Sequence, residues 1–66
     1  MDPRVNQLLN EIIRLAEHLE RETRECQGYA AKGDKTSTLR NLNDSRDELA
    51  TLNQKWQQLT QLLNQR

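Results

Sequence analysis

His18 is the only histidine of this 66-residue chain and the natural place to look for catalysis. An imidazole acts as a general base only when a hydroxyl, thiol or acid stands within hydrogen-bond reach. Its neighbours are Arg14, Glu17 and Arg21. No Ser, Cys or second acid stands at helical spacing to use such a base, so His18 is predicted to be a rim residue beside a packing seam. Cys26, the only cysteine, falls on an apolar repeat. A thiol there packs as a small hydrophobe, with a redox or intermolecular role as the alternative. His18 and Cys26 are the only soft ligands, so no metal site and no cofactor are predicted. Nothing resembles a phosphate loop or a nucleophile motif. The reading is non-enzymatic.

The elements that carry these residues are legible from spacing. One seven-residue ladder is Val5, Ile12, Leu19, Cys26, with Leu8, Leu15, Glu22 and Tyr29 three positions behind. A second is Leu42, Leu49, Trp56, Leu63, with Leu52 and Leu59 behind. A spacing of three then four lays side chains along one stripe of a helix. The fold class is therefore all-α: an antiparallel, coiled-coil-like two-helix hairpin forming a single domain over residues 1–66. Helix 1 is predicted over about 3–31, opened by Asp2 as cap and Pro3 at the first helical position. Gly28 weakens its end, and Gly33 suits the left-handed position that stops a helix. The turn is predicted over about 32–36 and helix 2 over about 37–65, with its start between Asp34 and Ser37 because Asp34, Thr36 and Ser37 can each cap.

Pairing residues whose numbers add to 71 sets Leu8 against Leu63, Ile12 against Leu59, Leu15 against Trp56 and Leu19 against Leu52. Toward the loop, Glu22 then faces Leu49, Cys26 faces Ser45 and Tyr29 faces Leu42. Glu22 and Ser45 interrupt this seam, so a looser loop half is predicted, with Glu22→Leu stabilising. Glu17–Arg21, Glu20–Arg24, Arg21–Glu25 and Arg40–Asp44 are spaced as ion pairs on exposed faces. Leu9, Ile13, Ala16 and Leu62 lie beside the seam as surplus apolar surface, more than a lone hairpin buries. That surplus predicts a partner, either a second hairpin completing a four-helix bundle or a helical heteropartner. Residues from Asn53 onward carry only Lys55 and Arg66 as charges and are rich in Asn and Gln. This stretch reads as a contact surface, or as glutamines on a wet helix face. The predicted partner-binding set is Leu9, Ile13, Ala16, Trp56, Gln58, Gln61 and Leu62. Trp56 has two open roles, interface anchor or core residue near Leu15.

Ten basic and ten acidic residues cancel. A neutral chain argues against nucleic-acid binding, which draws on an excess of Lys and Arg. No stretch approaches the roughly 18 apolar residues of a membrane span, and the N-terminus lacks the order of a signal peptide. A single unpaired cysteine suits a reducing, cytoplasmic location. Sixty-six residues make a marginal core, and a chain so small gains stability by association.

The run Leu49-Ala50-Thr51-Leu52-Asn53-Gln54-Lys55-Trp56-Gln57-Gln58-Leu59 resembles the last helix of a spectrin repeat, over that stretch alone. The size and layout, with a Gly-containing turn near the middle, are similar to the small hairpin co-chaperones of type III secretion needle subunits. That resemblance implies a chaperone that works by covering a partner's apolar surface. The outline also resembles plasmid copy-control hairpins that dimerise into four-helix bundles and bind RNA. A nucleic-acid-binding regulator is thus the alternative function, and the even charge balance weakens it.

Overall fold

The structure is a computed structural model that describes residues 1–65. Two helices, α1 (Pro3–Ala31) and α2 (Lys35–Asn64), pack antiparallel as a hairpin. Asp2 begins α1 as expected. Its Oδ1 accepts from the Arg4 amide at 2.8 Å, and Pro3 takes the first position, where a missing N–H costs nothing. The Arg4 guanidinium also reaches the Asp2 carboxylate, at 2.6 Å.

The connection is tighter than predicted. Lys32 ends α1, and Gly33 takes φ 74°, a left-handed conformation that glycine adopts without Cβ strain. The Gly33 amide donates to Ala30 O at 3.0 Å and the Asp34 amide to Tyr29 O at 2.9 Å. This pair of bonds is a Schellman motif. Asp34 at once caps the next helix, accepting from the Ser37 amide at 3.0 Å. Helix 2 therefore starts at Lys35, at the early end of the range Asp34–Ser37 expected from the sequence, because Asp34 serves as both the last turn residue and the cap.

A shorter turn changes the register. Cross-helix contacts join Glu22 to Ser45, His18 to Glu48 and Glu11 to Lys55. These pairs add to 67, 66 and 66, not the 71 predicted. A difference of four to five slides one helix by roughly 6–8 Å, at 1.5 Å per residue. The predicted pairings Leu8–Leu63, Leu15–Trp56, Glu22–Leu49 and Tyr29–Leu42 are accordingly not made. The seam of α2 is Thr38, Asn41, Ser45, Glu48, Leu52, Lys55, Leu59 and Leu62, all buried or half-buried. Leu42, Leu49, Trp56 and Leu63 are left outside, each more than half exposed. The α1 seam is as predicted from Val5 to Cys26, whereas Tyr29 at its end is exposed.

The core is apolar at the end carrying the chain termini. Val5, Ile12 and Leu59 are buried there, with Leu8, Leu52 and Leu62 packed against them. Leu62, predicted as surplus surface, is thus part of the core. Towards the loop the seam is polar but not empty. Ser45 Oγ donates to Glu22 Oε2 at 3.0 Å, and the buried Cys26 thiol donates to Thr38 O at 3.7 Å. This hydrogen bond removes the warrant for Glu22→Leu as a stabilising change, because Glu22 already has a partner. The hairpin measures 52 × 15 × 10 Å between Cα atoms, so it is one layer of helices with no second layer to enclose a cavity. Among the described residues, no helix is long and apolar enough to cross a membrane.

Candidate interaction surface

Side chains advance about 100° per residue around a helix, so each seam has one flank of residues just after it and one of residues just before. In an antiparallel pair, the two trailing flanks share one side of the hairpin and the two leading flanks share the other. On the trailing side, α1 contributes Leu9, Ala16 and, one column further out, Ile13. On the same side α2 contributes Leu42, Leu49, Trp56 and Leu63, with Leu39 further out. Along this entire flank only Glu20, Lys35 and Arg46 carry charge, Lys35 at the loop end.

Leu9 is 40% exposed, Ile13 52% and Trp56 59%. These values decide what the surface is: large side chains that have left neither water nor the protein interior. No side chain in the described residues is fully buried, so the hairpin alone keeps much of its apolar content in contact with solvent. Leu49, Asn53 and Trp56 line a shallow groove floored by Leu52.

The leading flank is different in kind. Arg4, Glu11, His18 and Glu25 line it from α1, and Ser37, Asp44, Thr51 and Gln58 from α2, with Arg14, Arg21, Arg40 and Asp47 further out. Lys55 Nζ meets Glu11 Oε2 at 3.0 Å. Gln58 and Gln61 line a groove here together with Arg4 and Gln7. The predicted partner-binding set is therefore divided three ways. Leu9, Ile13, Ala16 and Trp56 gather on the apolar flank, Gln58 and Gln61 lie on the polar flank, and Leu62 lies in the core between them. Trp56 does not pack near Leu15. Leu42, Leu49 and Leu63 join the apolar flank instead, although the sequence pattern placed them in the seam.

Arg14, Arg21 and Arg40 share their side with Glu11, Glu25, Asp44 and Asp47, so the arginines do not form a patch free of acids. Of the ion pairs predicted on exposed faces, Glu20–Arg24 closes, at 2.8 Å, among the described residues.

One polar cluster was missed by sequence reasoning. His18 Nδ1 lies 2.7 Å from Glu48 Oε1 and 3.5 Å from Glu22 Oε1. The spacing of His18 and Glu22 by one turn was visible in the sequence. The third member was not, because the predicted register faced Glu22 with Leu49 and turned Glu48 away. Among the described residues, no hydroxyl or thiol is hydrogen-bonded to the imidazole. The Ser45 hydroxyl of this layer is already committed to Glu22.

Comparison with protein-family models, curated proteins and solved structures finds no match for this chain.

Proposed function

We propose that the hairpin is a non-enzymatic protein-interaction module whose apolar flank is covered by a second copy of the chain, giving a four-helix bundle. The observation that carries this reading is the uninterrupted run of Leu42, Leu49, Trp56 and Leu63 beside Leu9, Ile13 and Ala16, half exposed and almost free of charge. Interface cores are depleted in charge and enriched in aromatic residues. Burying a Leu, Ile or Trp fully is worth about 1.5–3 kcal/mol, so covering this flank adds stability that a 66-residue hairpin lacks alone. Docking helices read as anchors three, four and seven residues apart, which is the spacing of this flank. The same chemistry suits a co-chaperone that shields a helical partner's apolar face.

Sedimentation equilibrium across the micromolar range tests the reading. Wild-type chain is expected to weigh in as a dimer. Ile13→Asp, on the apolar flank, is expected to yield a helical monomer, whereas Arg14→Asp, one residue away on the polar side, is expected to leave the dimer intact. A wild-type monomer throughout would reject the second copy as the cover and leave a heterologous helix. Dissociation by Arg14→Asp but not by Ile13→Asp would place the surface on the wrong flank.

A further inference from the structure

The middle of the hairpin holds more negative charge than it can balance. Glu22 and Glu48 converge on His18 from two different helices, and their nearest ligand atoms and the imidazole nitrogen all lie within 4.8 Å of one another. Both carboxylates are largely withdrawn from water, with side chains 18% and 22% exposed. Even a fully protonated His18 brings one positive charge against two negative ones. Glu48 Oε2 is also buried with no hydrogen-bond donor. Buried carboxylate oxygens are ordinarily paired, because an unpaired one forfeits its solvation.

We propose that His18, Glu22 and Glu48 form a binding site for a divalent transition ion of the zinc class, which staples α1 to α2 at mid-length. One imidazole nitrogen and two carboxylate oxygens are a donor set that suits such ions, and three protein ligands leave a fourth position for water. Bonds of 2.0–2.2 Å in tetrahedral geometry set ligand atoms about 3.4 Å apart. The separations of 2.7 and 3.5 Å at His18 Nδ1 need only small side-chain shifts to reach that spacing. The ion brings two positive charges to two carboxylates, so the site becomes neutral, and Glu48 Oε2 gains a cation beside it. Ser45 has a supporting part. Its hydroxyl holds Glu22 Oε2 at 3.0 Å, which leaves Oε1 turned towards His18. The imidazole must be neutral to ligate, so binding displaces its proton when His18 starts out charged. None of this depends on what covers the apolar flank, which is on another side of the hairpin.

The test is titration of metal-free protein with zinc chloride and, separately, cobalt chloride. It is run at about pH 8, where few protons compete with a metal ion for an imidazole nitrogen. The expected result is one ion per hairpin, a rise in melting temperature that a chelator reverses, and visible cobalt absorption bands. His18→Asn and Glu48→Gln, which nearly keep side-chain size, are expected to abolish uptake. Ser45→Ala is expected to weaken it roughly tenfold, as loss of a ligand-orienting hydrogen bond does. Circular dichroism of each variant without metal establishes that the helices persist. If wild-type protein takes up no ion, or if uptake survives both His18→Asn and Glu48→Gln, the proposal is overturned.

Discussion

The two flanks of this hairpin run the same length beside the same seam, yet one is nearly uncharged and the other holds most of the cross-helix charge. On the polar flank, Lys55 reaches Glu11 and His18 reaches Glu48, so polar groups at the seam edge meet across the helices. On the apolar flank, Leu49, Trp56 and Leu63 stand half in water with nothing of their own chain to cover them. Scattered single apolar side chains on a surface need no explanation, but a contiguous strip does. The difference teaches that the seam was not chosen for maximal burial within one chain. Rotating α2 to bring Leu42, Leu49, Trp56 and Leu63 inward would bury more leucine, yet the tight turn at Gly33 and Asp34 presents Glu48 and Lys55 to α1 instead. Those two residues are accommodated because Glu48 finds His18 and Lys55 finds Glu11.

The largest expected effect removes the seam that both flanks share. Ile12→Ala or Leu59→Ala should cost about 2–5 kcal/mol, as truncations of buried aliphatic residues do. Thermal melts should then show a largely unfolded chain with neither flank in place. If Leu59→Ala proved as harmless as Leu49→Ala, the division between seam and flank would be wrong.

A smaller effect sharpens the polar side. Glu22→Leu leaves the buried Ser45 hydroxyl without its partner, a loss of about 1–3 kcal/mol that offsets the apolar gain. Glu22→Leu combined with Ser45→Ala replaces both partners and should melt higher than Glu22→Leu alone. Equal melting of the two variants would mean that the Glu22–Ser45 bond contributes nothing.

The smallest effect is acid sensitivity at the helix starts, which serve both flanks equally. Hydrogen bonds from the Arg4 side chain and amide hold the Asp2 carboxyl below its ordinary range. The Ser37 amide does the same for Asp34. A carboxyl whose folded pKa is depressed adds stability that is complete above its ordinary value near 3.8 and is lost as pH falls through the folded value. Asp34→Asn keeps a capping oxygen but cannot titrate. Melts between about pH 2 and pH 5 should therefore fall less steeply for Asp34→Asn than for wild type.

Much of the fold was written in the spacing. The α1 ladder from Val5 to Cys26, the Asp2 cap and the Gly33 stop were all legible, because each rests on local chemistry. The register was not. It depends on which of the possible caps, Asp34, Thr36 or Ser37, opens α2, and on Asp34 closing the turn as well, which spacing alone does not decide. One misjudged turn moved the pairing by four to five residues, and the consequences spread. Leu49 went from seam to surface, Trp56 took the surface one of its two open places, Leu62 went from surface to core, and Glu48 arrived beside His18. The apolar surplus of Leu9, Ile13 and Ala16 was legible, because a stripe wider than one seam is visible in one helix alone. Its continuation onto α2 required the observed pairing.

Trp56 is the only tryptophan and stands in the middle of the apolar flank, so its fluorescence reports directly on whether that flank is covered. The direct measurement is its emission maximum, and its quenching by acrylamide, as protein concentration rises from nanomolar to high micromolar. The account expects a shift to shorter wavelength and loss of quenching, both reversed by Ile13→Asp while the helix signal remains. An emission that stays at the position of water-exposed tryptophan, with undiminished quenching throughout that range in a fully helical chain, would contradict it.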